Sequence, residues 1–248
     1  ATNATTISSL GAVTGSVTAD TTAPTFTSAT TLTSTTVQVV FSEGLSSATI
    51  ADFGVDTNSS GANLSSGTNY GTGTVTFTVS SALAANAKPT IYFDSTFSGG
   101  VTDLAGNPMV TDSVVATDGI TPTLVSFTSS TGDGTYGPTD TVNITATYDE
   151  PLGGASTATV ALNSGASVTL NSVSGSTLTG TYNIGATGSG ENDSDLSVAS
   201  ITSQSALDTT GNTLSSTTLP GTNIADGSEI VIDTTAPTLT INDPLEID

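Results

Sequence analysis

With 248 residues, 22 acidic side chains, one Lys and a net charge of −21, the chain has no basic surface of the kind that nucleic acid or an anionic membrane requires. It has neither Cys nor His, which removes disulfides, thiol nucleophiles, zinc–thiolate sites and His-based catalytic triads together. No apolar run is long enough to span a bilayer, so no direct membrane insertion is expected in this segment.

Ser and Thr make up roughly a third of the residues, and the branched Cβ of Thr favours a pleated strand. The chain begins at Ala1 without Met and reads as a processed piece of a longer protein. Residues 1–19 read as the last strand of a preceding domain. A first complete domain is expected over 20–118. In it Val37, Val39 and Phe41 alternate with polar neighbours, as do Val75, Phe77 and Val79, and then Ile91 and Phe93. Ser80–Asn86 is the one stretch with room for a helical turn. A second domain is expected over 119–233. It carries an insert at Gly132–Thr139, then an alternating run of Val142, Ile144, Ala146 and Tyr148. Leu178 with Tyr182, Leu196 with Val198, and Ile230 with Ile232 continue the pattern. Residues 234–248 read as the start of a further domain.

An internal repeat supports these divisions. DTTAPT stands at Asp20–Thr25 and again at Asp233–Thr238, with DGITPT at Asp118–Thr123 between them, about 100 to 115 residues apart. FSEGL at Phe41–Leu45 matches YDEPL at Tyr148–Leu152. DLAGN at Asp103–Asn107 matches DTTGN at Asp208–Asn212, about 60 residues after the Glu in both halves. One immunoglobulin-like sandwich has this length.

The ordered set DTTAPT, FSEGL/YDEPL, VTDLAGNP (Val101–Pro108) and GDGTYGPTDTVNITATYDEPL (Gly132–Leu152) resembles the tandem bacterial-type immunoglobulin-like domains of surface-layer (S-layer) proteins and giant cell-surface adhesins. The Thr-rich, base-poor composition is most like that of an archaeal S-layer protein. The resemblance implies an all-β chain of tandem immunoglobulin-like antiparallel β-sandwiches. It also implies an extracellular location at the cell surface and a spacer role in which Ca²⁺ stiffens domain junctions.

Strand parity then places the acids. In a seven-stranded antiparallel sandwich, the opening Asp, the Glu after the second strand and the Asp before the last strand gather at one end. One cluster is expected from Asp20, Glu43, Asp103 and Asn107. A second is expected from Asp118, Asp149, Glu150, Asp208 and Asn212. Asp133, in the insert, should lie at the opposite end near Asp233. Carboxylates placed so repel one another unless a cation sits between them, and Ca²⁺ accepts six to eight oxygens in irregular geometry. Any one D-x-x-G-N motif reads equally well as an Asx turn. It is the clustered set that points to metal.

Sequons at Asn3, Asn58, Asn63, Asn143 and Asn192 occur about as often as chance gives in so Ser/Thr-rich a chain. Paired carboxylates can hydrolyse glycosides, but a chain without Trp and with 5% aromatic residues supplies a poor sugar-stacking platform. The expectation is a non-enzymatic S-layer segment that self-associates into a lattice and attracts metal cations. The alternatives are a spacer of a large adhesin and, behind it, accessory domains of a secreted hydrolase.

Overall fold

The computed structural model describes residues 18–56, 63–96 and 100–240. Residues 1–17 of the strand expected over 1–19, residues 241–248 of the segment expected over 234–248, and the sequons at Asn3 and Asn58 lie outside them. Two compact units emerge. The first holds the described residues up to Ala29 together with Val37–Ser80 and Pro89–Ala116. The second holds Thr30–Thr36, Ser81–Lys88 and the residues from Thr117 onward.

In the first half of the chain the strands are β1 (Phe26–Thr33), β2 (Thr36–Phe41), β3 (Phe53–Asp56), β4 (Leu64–Thr68), β5 (Thr74–Val79), β6 (Thr90–Phe93) and β7 (Asp112–Val115). They form a sheet of order β1-β2-β5-β4 and another of order β3-β6-β7. β2 and β5 each bury every second residue, so Val37, Val39 and Phe41 join Val75, Phe77 and Val79 on one inner face. Ile91 and Phe93 of β6 are fully buried. Phe53 of β3 meets Phe41 at 5.8 Å, Phe77 at 5.2 Å and Phe93 at 6.0 Å between ring centroids, so aromatic rings join the two sheets into a sandwich.

The second half continues with β8 (Leu124–Thr128), β9 (Gly134–Tyr136), β10 (Thr141–Tyr148), β11 (Thr157–Leu162), β12 (Ser167–Leu170), β13 (Ser172–Ser174), β14 (Thr177–Asn183), β15 (Val198–Leu207), β16 (Thr213–Leu214) and β17 (Ile230–Ile232). Two four-stranded sheets run β13-β14-β10-β8 and β12-β11-β15-β16. β10 pairs antiparallel with β14 from Thr141↔Asn183 to Thr147↔Thr177. Val142, Ile144, Ala146 and Tyr148 all point inward, into an aliphatic core with Val160, Leu170, Leu178, Leu196 and Ile230. Tyr148 carries its hydroxyl into this core and donates it to Gln204 Oε1 of the facing sheet at 3.1 Å.

The insert Gly132–Thr139 contains β9, which pairs in parallel with β17: Ile230↔Gly134, Val231↔Thr135 and Ile232↔Tyr136. The Ser80–Asn86 stretch forms no helix. It closes instead on a single turn in which Ala87 N–H donates to Ala84 O at 3.1 Å, with Leu83 buried. Leu83 takes no part in a helical face because its own N–H donates to Ser34 O at 2.6 Å. Among the sequons, Asn63 is exposed, whereas Asn143 is half-buried and accepts from Thr145 Oγ1 at 3.1 Å.

Candidate metal centres

The three repeat markers fold alike. Asp20, Asp118 and Asp233 each accept, through Oδ1, the N–H two residues on: Thr22 at 3.0 Å, Ile120 at 3.0 Å and Thr235 at 2.9 Å. A short carboxylate following its own backbone into a turn has this geometry.

The Glu-bearing and D-x-x-G-N motifs come together through one bridge in each unit. Leu45 pairs antiparallel with Asp103, and Leu152 pairs with Asp208. Each D-x-x-G-N is the tip of a tight hairpin, closed where Asp103 N–H donates to Asn107 O at 3.1 Å and Asp208 N–H to Asn212 O at 2.9 Å. The turn needs positive φ at its fourth residue, supplied by Gly106 at +94° and Gly211 at +100°. Inside it the Asp carboxylate collects donors. Asp103 Oδ1 accepts from Ala105 N–H and Asn107 N–H, both at 2.8 Å. Asp208 Oδ1 accepts from Thr210 N–H at 2.8 Å, Gly211 N–H at 2.6 Å and Asn212 N–H at 2.8 Å. Asn107 Nδ2 donates to Asp103 Oδ2 at 2.7 Å and to the Asp20 carbonyl at 3.2 Å. Asn212 Nδ2 does the same for Asp208 Oδ2 at 2.7 Å and the Asp118 carbonyl at 3.1 Å. Each Asn thus ties the opening Asp of its unit to the hairpin Asp.

Two carboxylate triads result. Ligand oxygens of Asp20, Glu43 and Asp103 lie within 4.8 Å of one another, as do those of Asp118, Glu150 and Asp208. At that separation two like charges repel by about 3 kcal/mol at the effective dielectric of a protein site, and by about 1 kcal/mol in bulk water. The centres differ in burial. Asp20 is exposed and Glu43 half-buried, whereas Asp118, Glu150 and Asp208 are 6%, 3% and 2% exposed. Glu150 Oε1 is buried with no hydrogen-bond partner.

These surroundings shift the titrations in opposite directions. Burial pushes Glu150 up to about 7, with the charges of Asp118, Asp208 and Asp149 adding to it. Burial also raises Glu43, helped by Asp103 and Asp20. Asp118 is raised by burial and by Asp208, against the Ile120 N–H and the field of Lys88. For Asp103 and Asp208 the upward push of burial is outweighed by their donors, Asn107 and Asn212 foremost, and both are held below the usual carboxylate range.

The remaining expected site residues lie elsewhere. Asp149 is exposed, and its Oδ1 accepts from Thr123 N–H at 2.7 Å, so it pins the start of β8 and stays outside the triad. Ser42 does the same for Thr25 in the first unit, at 3.0 Å. Asp133 does not meet Asp233. It precedes β9 and accepts Glu229 N–H at 2.9 Å, while Asp233 follows β17 and donates its N–H to Tyr136 O at 2.9 Å. Because the pair is parallel, the start of one strand lies beside the start of the other, and the two acids fall at opposite ends of it. Thr210 is a contributor the sequence reading passed over: its Oγ1 lies 2.9 Å from both Asp208 oxygens and 3.4 Å from the Asp118 carbonyl. The departure of DTTGN from DLAGN was the available signal.

Solved structures that match the chain include the S-layer protein rSbsC, at 15% identity over 77% of this chain and 33% of that one, with a TM-score of 0.31. Domains 1–6 of the surface-layer protein SbsC match at 16% identity over 79% and 31%, also at 0.31. The titin domains z1z2 in complex with telethonin match at 14% identity over 88% and 100%, at 0.22. The chain spans about a third of the length of the two S-layer structures. No curated protein matches it. Residues 13–129 match the bacterial Ig-like domain.

Proposed function

We propose that the chain is a structural segment of a cell-surface protein, an S-layer subunit in the first instance, whose immunoglobulin-like units are stiffened by Ca²⁺ held at the two carboxylate triads. The observation that carries this is the second triad. Three buried acids converge there, and one of their oxygens, Glu150 Oε1, has no donor. A buried acceptor left unsatisfied costs about 1–3 kcal/mol, more when charged. A cation supplies the missing partner and cancels the repulsion in one step. Asp118, Glu150 and Asp208 would hold the ion in the second unit, and Asp20, Glu43 and Asp103 in the first. All are carboxylates, the hard oxygen donors that Ca²⁺ takes. Asn107 and Asn212 act through the Asp side chains they position.

The surface role is non-catalytic. Its support is the bacterial Ig-like match together with a composition of 22 acids and one Lys, which draws cations to the molecule and repels anions. Self-association into a lattice is part of the same reading, and two-dimensional crystalline order on cells or of the purified protein tests it. The calcium part is tested by calorimetric melting with millimolar Ca²⁺ and with EGTA. Extracellular Ca²⁺ modules bind at about 10⁻⁴–10⁻³ M, so the melting temperature should rise with Ca²⁺ over that range. Superimposable curves in Ca²⁺ and EGTA would overturn it.

A further inference from the structure

We infer that the two triads are unequal, and that Asp118–Glu150–Asp208 is the tight, slowly exchanging cation site of the chain, filled first and released last. The inference rests on reading the triads as cation sites and adds an order to them.

Three differences between otherwise matching centres carry it. The first is access to water. Solvent reaches Asp20 and part of Glu43 and screens their repulsion from Asp103, so an ion gains little by entering. The second triad is shielded at all three residues, so its charges feel one another more strongly and an ion relieves more. The second difference is Glu150 Oε1, which lacks a hydrogen bond and is 97% withdrawn from solvent with the rest of its residue. A bound cation is the ligand that this oxygen is set to meet. The third is rigidity. Where the first hairpin has Ala105, the second has Thr210, whose hydroxyl reaches both Asp208 oxygens and the Asp118 carbonyl. Asp118 and Asp208 are therefore tied twice, through Asn212 and Thr210, where Asn107 alone ties Asp20 to Asp103, and a more pre-ordered site loses less freedom on binding. Burial also slows release, because the ion must regain its water shell while leaving a closed site.

The experiment is Ca²⁺ titration of the full chain by isothermal calorimetry at pH 8, with wild type, Glu150→Gln and Glu43→Gln. Chelator-triggered Ca²⁺ release is followed in parallel by stopped flow on wild type alone. Two classes of site are expected, at least tenfold apart, with the tight class lost in Glu150→Gln and the weak class lost in Glu43→Gln. Release should be biphasic. A single class removed by Glu150→Gln and untouched by Glu43→Gln also supports the order. Two sites of equal affinity with single-phase release overturn the inequality and leave the cation reading standing. The reverse assignment does the same. No binding at either site overturns both. Should Glu150→Gln fail to fold, shown by loss of its β-type circular dichroism, Glu43→Gln decides: loss of the weak class with the tight class kept supports the order, and loss of the tight class overturns it.

Discussion

Glu150 is charged at a cost that depends on pH. Its folded pKa of about 7 lies above the ordinary 4.5, so the folded state holds this proton more tightly than the unfolded chain does. The resulting stabilisation is fully present below about 4.5 and is lost as pH rises through 7. Its size is on the order of 3 kcal/mol. Asp103 and Asp208, held low, act with the opposite sign: their contribution is present above the ordinary carboxylate value of 3.8 and is lost as pH falls. Calcium-stripped protein should therefore melt at its highest temperature in mildly acid buffer and lose stability towards pH 8, and Glu150→Gln should flatten that alkaline fall. A second residue-scale outcome concerns Asn212. Removing its amide in Asn212→Ala takes a donor from ionised Asp208 and from the Asp118 carbonyl, so urea unfolding should show a loss of about 2–3 kcal/mol. The acids of both triads were legible in the sequence because the repeat brought each type back in the same order. The exclusion of Asp149 was not legible, because acid adjacency along the chain does not say which carboxylate turns inward. The fold decides it past the end of β10: Glu150 is buried, while Asp149 is exposed and its carboxylate is taken up by Thr123 N–H.

At the scale of strands, alternation was the readable signal and pairing was not. Val37, Val39 and Phe41, or Val142, Ile144, Ala146 and Tyr148, declare an inner face by their spacing, and every one of them is buried. β4 and β13 were invisible because Leu64-Ser-Ser-Gly-Thr68 and Ser172-Val-Ser174 carry almost no apolar residues. They are strands because a neighbour offers backbone partners, β5 to β4 and β14 to β13. The placement of Asp133 failed for a related reason: parity counts antiparallel strands, and β9 joins β17 in parallel. The two cores also differ in kind. Rings of Phe41, Phe53, Phe77 and Phe93 fill the first, while the second is mostly aliphatic around Ile144 and Leu178. Ile144→Ala should cost about 2–5 kcal/mol and Phe77→Ala about 3–5 kcal/mol in denaturant titrations, since each leaves a cavity at a fully buried position.

For the molecule as a whole, composition spoke mainly by exclusion. A chain with one Lys and neither His nor Cys offers its 22 acids a single basic side chain. What composition could not show is how the second unit is closed. β9 lies near the start of that unit's sequence and β17 near its end, they run side by side in the same direction, and Gly134 N–H to Glu229 O and Asp233 N–H to Tyr136 O flank the pair at 3.0 and 2.9 Å. Tension applied to the two ends of such a unit draws the strands lengthwise past each other. Their hydrogen bonds then carry the load together and cannot open one after another. The insert that interrupts the repeat is, in these terms, a tensile clamp, and resistance to pulling is set by the rate of its rupture. In single-molecule stretching, Val231→Pro, which places a residue without an N–H in β17, should lower the rupture force of the second unit and leave that of the first unchanged. A unit held under tension would then owe its toughness to three residues of β9 and three of β17.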